Sequence, residues 1–199
     1  MQNIGGLAEH LRSAARGLIY TMGFLVPLFF LPWTNDQLEI NKQTLFVLLV
    51  LLATLLWIGS MMADKTVKFK KGWSNVLPIL LVVGFLIPAF YSIAPYVSWV
   101  GANSQQYTSV LTILAGGLLF YLMSNLLSDR RSHQIMHTVL LIGSSVLAVF
   151  GVASIYGMEL LPVMNLVGTP NSLAIFLSVM TVFSLAAWVS HKKGDSLLH

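Results

Sequence analysis

Six long apolar runs, at approximately residues 17–33, 43–62, 75–94, 107–127, 137–156 and 171–190, constrain this chain more than any other feature. Each is near the roughly 20 residues that a helix needs to cross the hydrocarbon core of a bilayer. The runs are continuously apolar and do not alternate, so they predict helices and not barrel strands. Only 9% of the 199 residues are charged and 56% are hydrophobic, against about 25% charged in soluble domains. The fold class that follows is all-α, a polytopic transmembrane helical bundle of six spans forming a single membrane domain over residues 1–199. Pro27, Pro78 and Pro88 are expected to kink their helices, with neighbouring helices satisfying the freed carbonyls.

Residues 1–16 have a different character. Ile4, Leu7, Ala8, Leu11, Ala14 and Ala15 fall at helical spacing, while Glu9, His10, Arg12 and Arg16 take the other face. That pattern predicts a short amphipathic interfacial helix in the headgroup region, ahead of the first span. No small-residue cleavage site follows the first apolar run, so it is expected to be retained as a membrane helix.

The formal charge of +4 does not point to nucleic acid, because the basic residues sit in alternate loops. Arg12, Arg16, Lys65, Lys68, Lys70, Lys71, Arg130, Arg131, Lys192 and Lys193 fall on one side, leaving Lys42 alone on the other. By the positive-inside rule both termini are cytoplasmic, and the chain is a multi-pass membrane protein. The opposite face then consists of loops 34–42, 95–106 and 157–170, whose charges are Asp36, Glu39, Lys42 and Glu159.

Candidate chemistry is sparse. No span carries Asp, Glu, Lys, Arg or His in its middle, which argues against proton-coupled transport, charged-ring channels and voltage sensing. There is no cysteine, hence no disulfide or thiolate chemistry. His133 and His137 share a helical face, but Gln134 stands where a metalloprotease needs Glu and no third ligand is near; an ordinary interfacial pair is expected, with no metal and no cofactor. Asp36 and Glu39 read as solvated charges that stop two spans, and acid–base work is the alternative. Lys42 could pair with either or with a phosphate.

The segment Asn165–Leu177 has the sequence of a helix start: Thr169 as cap, Pro170 at the first helical position, and Asn171 and Ser172 in the first turn after Gly168. Such an end can simply begin a span, or it can receive a phosphate or sugar hydroxyl. Small and hydroxyl residues line one face of the fifth span (Ser144, Ala148, Gly151, Ser154) and one face of the sixth (Ala174, Ser178, Thr181, Ser184). Close packing of these two spans is expected.

Three stretches together resemble the O-antigen ligase/polymerase family. They are F-L-P-W-T-N-D-Q-L-E-I-N-K-Q-T-L (Phe30 to Leu45), S-I-A-P-Y-V-S-W-V-G (Ser92 to Gly101) and G-T-P-N-S-L-A-I-F-L (Gly168 to Leu177). The resemblance implies a GT-C-type membrane glycosyltransferase of lipopolysaccharide and related cell-envelope synthesis. Such an enzyme moves a glycan from an undecaprenyl-diphosphate carrier to an acceptor saccharide or lipid. It further implies that Lys42, Asn171, Ser172, Gly168, Thr169, Gln105 and Gln106 lie near the substrate. The family has more spans, and its large outer loop and catalytic Arg and His lie mainly beyond the matched region. The chain is therefore expected to be an N-terminal portion without the main catalytic loop, or a short relative that has lost activity. Ala94 replaces a frequent Asp, and Gln105 and Gln106 stand where relatives often show Arg. No catalytic residue can be assigned. A non-catalytic membrane scaffold or partner subunit is the alternative, and a half-transporter a further one.

Overall fold

A computed structural model describes residues 2–29, 39–66, 72–101, 106–155 and 170–196. Among the described residues the chain is all-helical, with no strand: α1 (Gln2–Leu28), α2 (Glu39–Asp64), α3 (Val76–Phe90), α4 (Pro95–Trp99), α5 (Val110–Leu126), α6 (Arg130–Ile155) and α7 (Pro170–Ser196). Short 3₁₀ turns, Trp73–Asn75 and Gln106–Thr108, lead into α3 and α5.

At the centre, α1 and α2 run antiparallel. Ala8, Ala15, Ile19 and Met22 form one buried face of α1, and Val50, Ala53, Trp57 and Ser60 form that of α2. Ala8, Ala15, Ala53 and Ser60 are small, which lets two helix backbones come close without a void. Arg12 forms an ion pair with Asp64 at one end. At the other end Lys42 Nζ donates to the Pro27 carbonyl at 3.0 Å. These two ties fix direction and register.

The remaining helices build outward from this pair. On one side α5 packs on α2 and α3 on α5; on the other α6 packs on α1 and α7 on α6. Tyr121 of α5 donates to the Asn75 carbonyl at the start of α3, and the His137 and Phe183 rings of α6 and α7 lie 5.4 Å apart. The long helices therefore alternate in direction. Glu39 and Lys42 belong to one end of the assembly, the Lys42 end. Arg12, Arg16, Lys65, Arg130 and Arg131 belong to the other, the Arg12 end.

Two differences from the sequence reading concern helix ends. Residues 2–16 do not form a separate helix; they are the first turns of α1, continuous with the first apolar run, and their small residues pack on α2. The prolines sit at helix ends and not in helix middles. Pro27 and Pro88 lie within the last turn of α1 and α3, and Pro78 lies in the first turn of α3, where its missing N–H has no intrahelical partner to lose.

Two helices, Glu39–Asp64 and the Arg130–Ala153 part of α6, are long and apolar enough to cross a membrane, and their most apolar windows are only 22% and 17% buried. A soluble protein's core helix would be mostly covered. Leu48, Leu51, Leu52, Leu55 and Ile58 of α2 face outward, as do Leu77, Ile79 and Leu80 of α3 and Ile175, Val179 and Val182 of α7. Apolar patches of this extent are not left against water by soluble monomers, whereas lipid tails accept them at no cost.

Candidate functional site

The polar groups gather at the Lys42 end, and Gln43 organises them. Its side chain is 6% exposed at the start of α2. Its Nε2 lies 2.7 Å from the Val100 carbonyl, 2.9 Å from Ser109 Oγ and 3.0 Å from Thr112 Oγ1. An amide nitrogen has two hydrogens. One is directed at Val100, and the two hydroxyls, 3.1 Å apart, share the other. The opposite amide orientation would set Oε1 against the Val100 carbonyl, two acceptors face to face, so the geometry itself fixes the assignment.

Each partner has a local reason for its place. Ser109 directly precedes the apolar run of α5 and acts as its N-cap, accepting from the Thr112 N–H. Val100 follows α4, whose first residue is Pro95. There the chain is turned by Gly101 at φ 97°, a left-handed conformation that glycine adopts without the Cβ clash. The Val100 N–H returns to the Tyr96 carbonyl at 2.9 Å. Ser92 Oγ joins the α3–α4 corner by accepting from Ser98 Oγ at 2.6 Å, and Phe90 meets Trp99 edge to face at 5.3 Å. Ala94 occupies the N-cap position of α4 with no side-chain cap. An Asp there would be placed to supply one.

Lys42, beside Gln43, is 5% exposed. The Pro27 carbonyl that it meets is one of the four left unpaired at the end of a helix, where the dipole also favours a cation. Lys42 therefore has a structural role in joining α1 to α2. Pro170 begins α7 as expected, and Asn171 and Ser172 are exposed in its first turn. They are carried by a helix that packs on α6, across α1 from the Gln43 cluster. Gln106 opens a 3₁₀ turn, while Gln105, Gly168 and Thr169 lie outside the described residues, as does Asp36.

Among the described residues, the small-residue faces of α6 and α7 approach closely only at Gly151. Ser144, Ala148, Thr181 and Ser184 line an open cleft of about 370 Å³ between the two helices. A Cβ on Gly151 would lie 2.5 Å from Leu173 Cδ2, so the helices use the missing side chain to approach. Ser144, Ser178, Thr181 and Ser184 do not bridge the helices; each hydroxyl donates to a carbonyl one turn back in its own helix. That satisfies a hydroxyl in an apolar setting without a partner.

At the Arg12 end, His133 and His137 line a cleft of about 610 Å³ between the α3–α5 and α6–α7 pairs. His133 Nδ1 is 3.2 Å from the Asp129 carbonyl. His137 Nε2 is shielded from solvent and has no hydrogen-bond partner. Asp129 caps α6, accepting from Ser132 Oγ at 2.8 Å and Ser132 N–H at 2.9 Å. These bonds, with Arg16 nearby, hold its carboxyl below the usual carboxylate range.

The sequence reading did not single out Gln43, Ser109 or Thr112. Ser109 carried a visible signal, a hydroxyl residue directly before an apolar run; Gln43 carried only its polarity at the edge of another. No family model matches this chain, and no curated protein and no solved structure matches it.

Proposed function

We propose that this chain is the membrane part of a glycan-transfer system of the O-antigen ligase/polymerase kind, with six spans and both termini in the cytoplasm. The observation that carries the reading is the Gln43 cluster. It joins Gln43, from the first family-like stretch, to Val100, from the second, in one polar platform at the end poor in basic residues. The positive-inside rule assigns that end to the outside, where a lipid-linked glycan is presented. The outward-facing leucines and isoleucines of α2 and α3 would accompany the polyprenyl chain.

In the transfer, the acceptor hydroxyl oxygen bonds to C1 of the donor sugar as the C1–O bond to the diphosphate breaks. Undecaprenyl diphosphate leaves with the electron pair, and the hydroxyl proton passes to a base. Charge develops on the leaving diphosphate, and cationic donors stabilise it best. Lys42 is engaged by Pro27 and is the one basic residue that the sequence assigns to this side. That observation favours a second reading, a non-catalytic subunit that holds carrier lipid for a partner enzyme.

The test supplies full-length gene product in proteoliposomes with an undecaprenyl-diphosphate-linked oligosaccharide and an acceptor glycan. Product mass reports transfer. Transfer that falls with Gln43→Leu supports the enzyme reading. No transfer alone, but transfer restored by a co-purified second protein, supports the subunit reading. Loss of neither carrier binding nor transfer on Gln43→Leu would remove the platform from the mechanism.

A further inference from the structure

The cleft at the Arg12 end has no part in a reaction at the Lys42 end, and its lining is specific enough to name an occupant. Its volume of about 610 Å³ lies within the range of about 300–1,000 Å³ usual for small-molecule sites. Phe120, Met123, Met136 and Phe183 give it apolar walls, and methionine side chains adapt to a flexible chain. The polar lining comprises Asn75, Ser124, His133 and His137. His137 Nε2 is a shielded ring nitrogen with nothing to bond, a condition that native interiors seldom leave unexplained. His133 engages Asp129 through Nδ1, which leaves Nε2 as the nitrogen for a ligand.

Charge narrows the choice. Arg130 and Arg131 form the first turn of α6, whose N-terminus adds a partial positive charge. Asp129, the acid at this helix start, is bonded by Ser132 and lies in the field of Arg16. The cleft lining itself carries no Arg, Lys, Asp or Glu. Among the described residues, the end beside it sets Arg12, Arg16, Lys65, Arg130 and Arg131 against Glu9, Asp64 and Asp129, a positive balance.

We propose that this cleft binds an anionic phospholipid from the leaflet at the Arg12 end. One acyl chain lies between the α5 and α6 walls, and the phosphodiester sits by the His133 and His137 imidazoles and the start of α6. The inference rests on the membrane part of the reading above and is independent of glycan transfer.

The test is native mass spectrometry of the full chain in detergent, titrated separately with dioleoylphosphatidylglycerol, dioleoylphosphatidylcholine and inorganic phosphate. The wild type is expected to retain phosphatidylglycerol about fivefold over phosphatidylcholine, the discrimination that roughly one basic side chain gives at a membrane surface. Ser124→Trp, which fills the cleft, is expected to lose adducts of both lipids. Arg130→Gln with Arg131→Gln is expected to keep the helicity and bring the two lipids level. The double variant His133→Leu, His137→Leu is expected to weaken both adducts alike, and it carries the test should Ser124→Trp fail to fold. Equal retention by the wild type, unchanged adducts in the histidine variant, a phosphate adduct as strong as the lipid's, or a dimer in place of a lipid adduct would each overturn the proposal. Release of the chain from membranes by alkaline carbonate would instead overturn the membrane reading itself.

Discussion

Gln43 concentrates at one side chain what two sequence-distant segments need, bonding the Val100 carbonyl after α4 and the Ser109 hydroxyl that caps α5. Gln43→Leu keeps the side-chain size but leaves the Val100 carbonyl and two hydroxyls without their donor. A loss of about 1–3 kcal/mol is expected, the cost of stranding buried polar groups, read as a lower thermal midpoint in detergent. Ser109→Ala removes both a cap and a member of the same cluster, so the double variant should lose less than the sum of the two single ones. The cap was legible from residues 109–112 alone, because capping is a local event. The Gln43 contact was not, because periodicity reports which face a residue takes and not what waits there 57 residues later. The Ser132 bonds make the contribution of Asp129 depend on pH. Its folded-state value lies below its unfolded one, so its contribution is in place above the ordinary carboxylate range and disappears as pH falls through the folded value. The difference in thermal midpoint between wild type and Asp129→Ala should be present at neutral pH and close in acid below about pH 4. A difference that persisted unchanged in strong acid would mean that the Ser132 bonds do not depend on the ionised form.

At the scale of elements, the helices were legible and their ends were not. Apolar runs are long and repetitive, so their existence survives small errors; ends are decided by single residues and by what packs nearby. Arg16 and Gly17 look like a boundary between an amphipathic stretch and a span. Yet α1 runs straight through them, because Ala8 and Ala15 find a partner face on α2. The prolines looked like kinks within spans, since the apolar runs extend past them, but the helices end within a turn of Pro27 and Pro88. The contact between α6 and α7 was legible from their small residues, but its closeness was not. The helices approach tightly at Gly151 and leave a cleft beside Ser144, Ala148, Thr181 and Ser184. Alanine there needs only the far methyl of Leu173 to swing aside. The cost should stay under about 1 kcal/mol, offset in part by alanine's better helix propensity. Gly151→Leu cannot be absorbed that way and should cost about 1–3 kcal/mol as an overpacked contact. Leu173→Ala should recover part of that loss, and a thermal melt of all four proteins checks it. No recovery would place the clash elsewhere in the α6–α7 contact.

For the whole molecule, burial and charge point the same way. The core gathers where α1, α2 and α5 meet, around Ala15, Ile19, Val50, Trp57 and Leu122, while large apolar side chains of α2, α3 and α7 remain uncovered. A chain that covers its centre and leaves its rim apolar is matched to lipid. Helix alternation independently segregates Arg12, Arg16, Lys65, Arg130 and Arg131 from Lys42, the pattern that the loops alone suggested. What no sequence pattern could supply is the lateral order, α3–α5–α2–α1–α6–α7, because it depends on which faces fit and not on chain order. That order separates α7 from the Gln43 cluster and opens the cleft between α5 and α6, consecutive helices with α1 beside them both. The absence of cysteine makes the topology directly measurable, since any introduced thiol is unique. Thr108 and Ser128 flank α5, whose 17 residues span roughly 25 Å, slightly less than the hydrocarbon core. Positive loops retained inside require that a membrane-impermeant maleimide label Thr108→Cys in intact cells and Ser128→Cys only after permeabilisation. Labelling of both from outside would mean that α5 does not cross. Labelling of Ser128→Cys alone would invert the orientation, setting the Gln43 platform on the cytoplasmic side and away from any externally presented glycan.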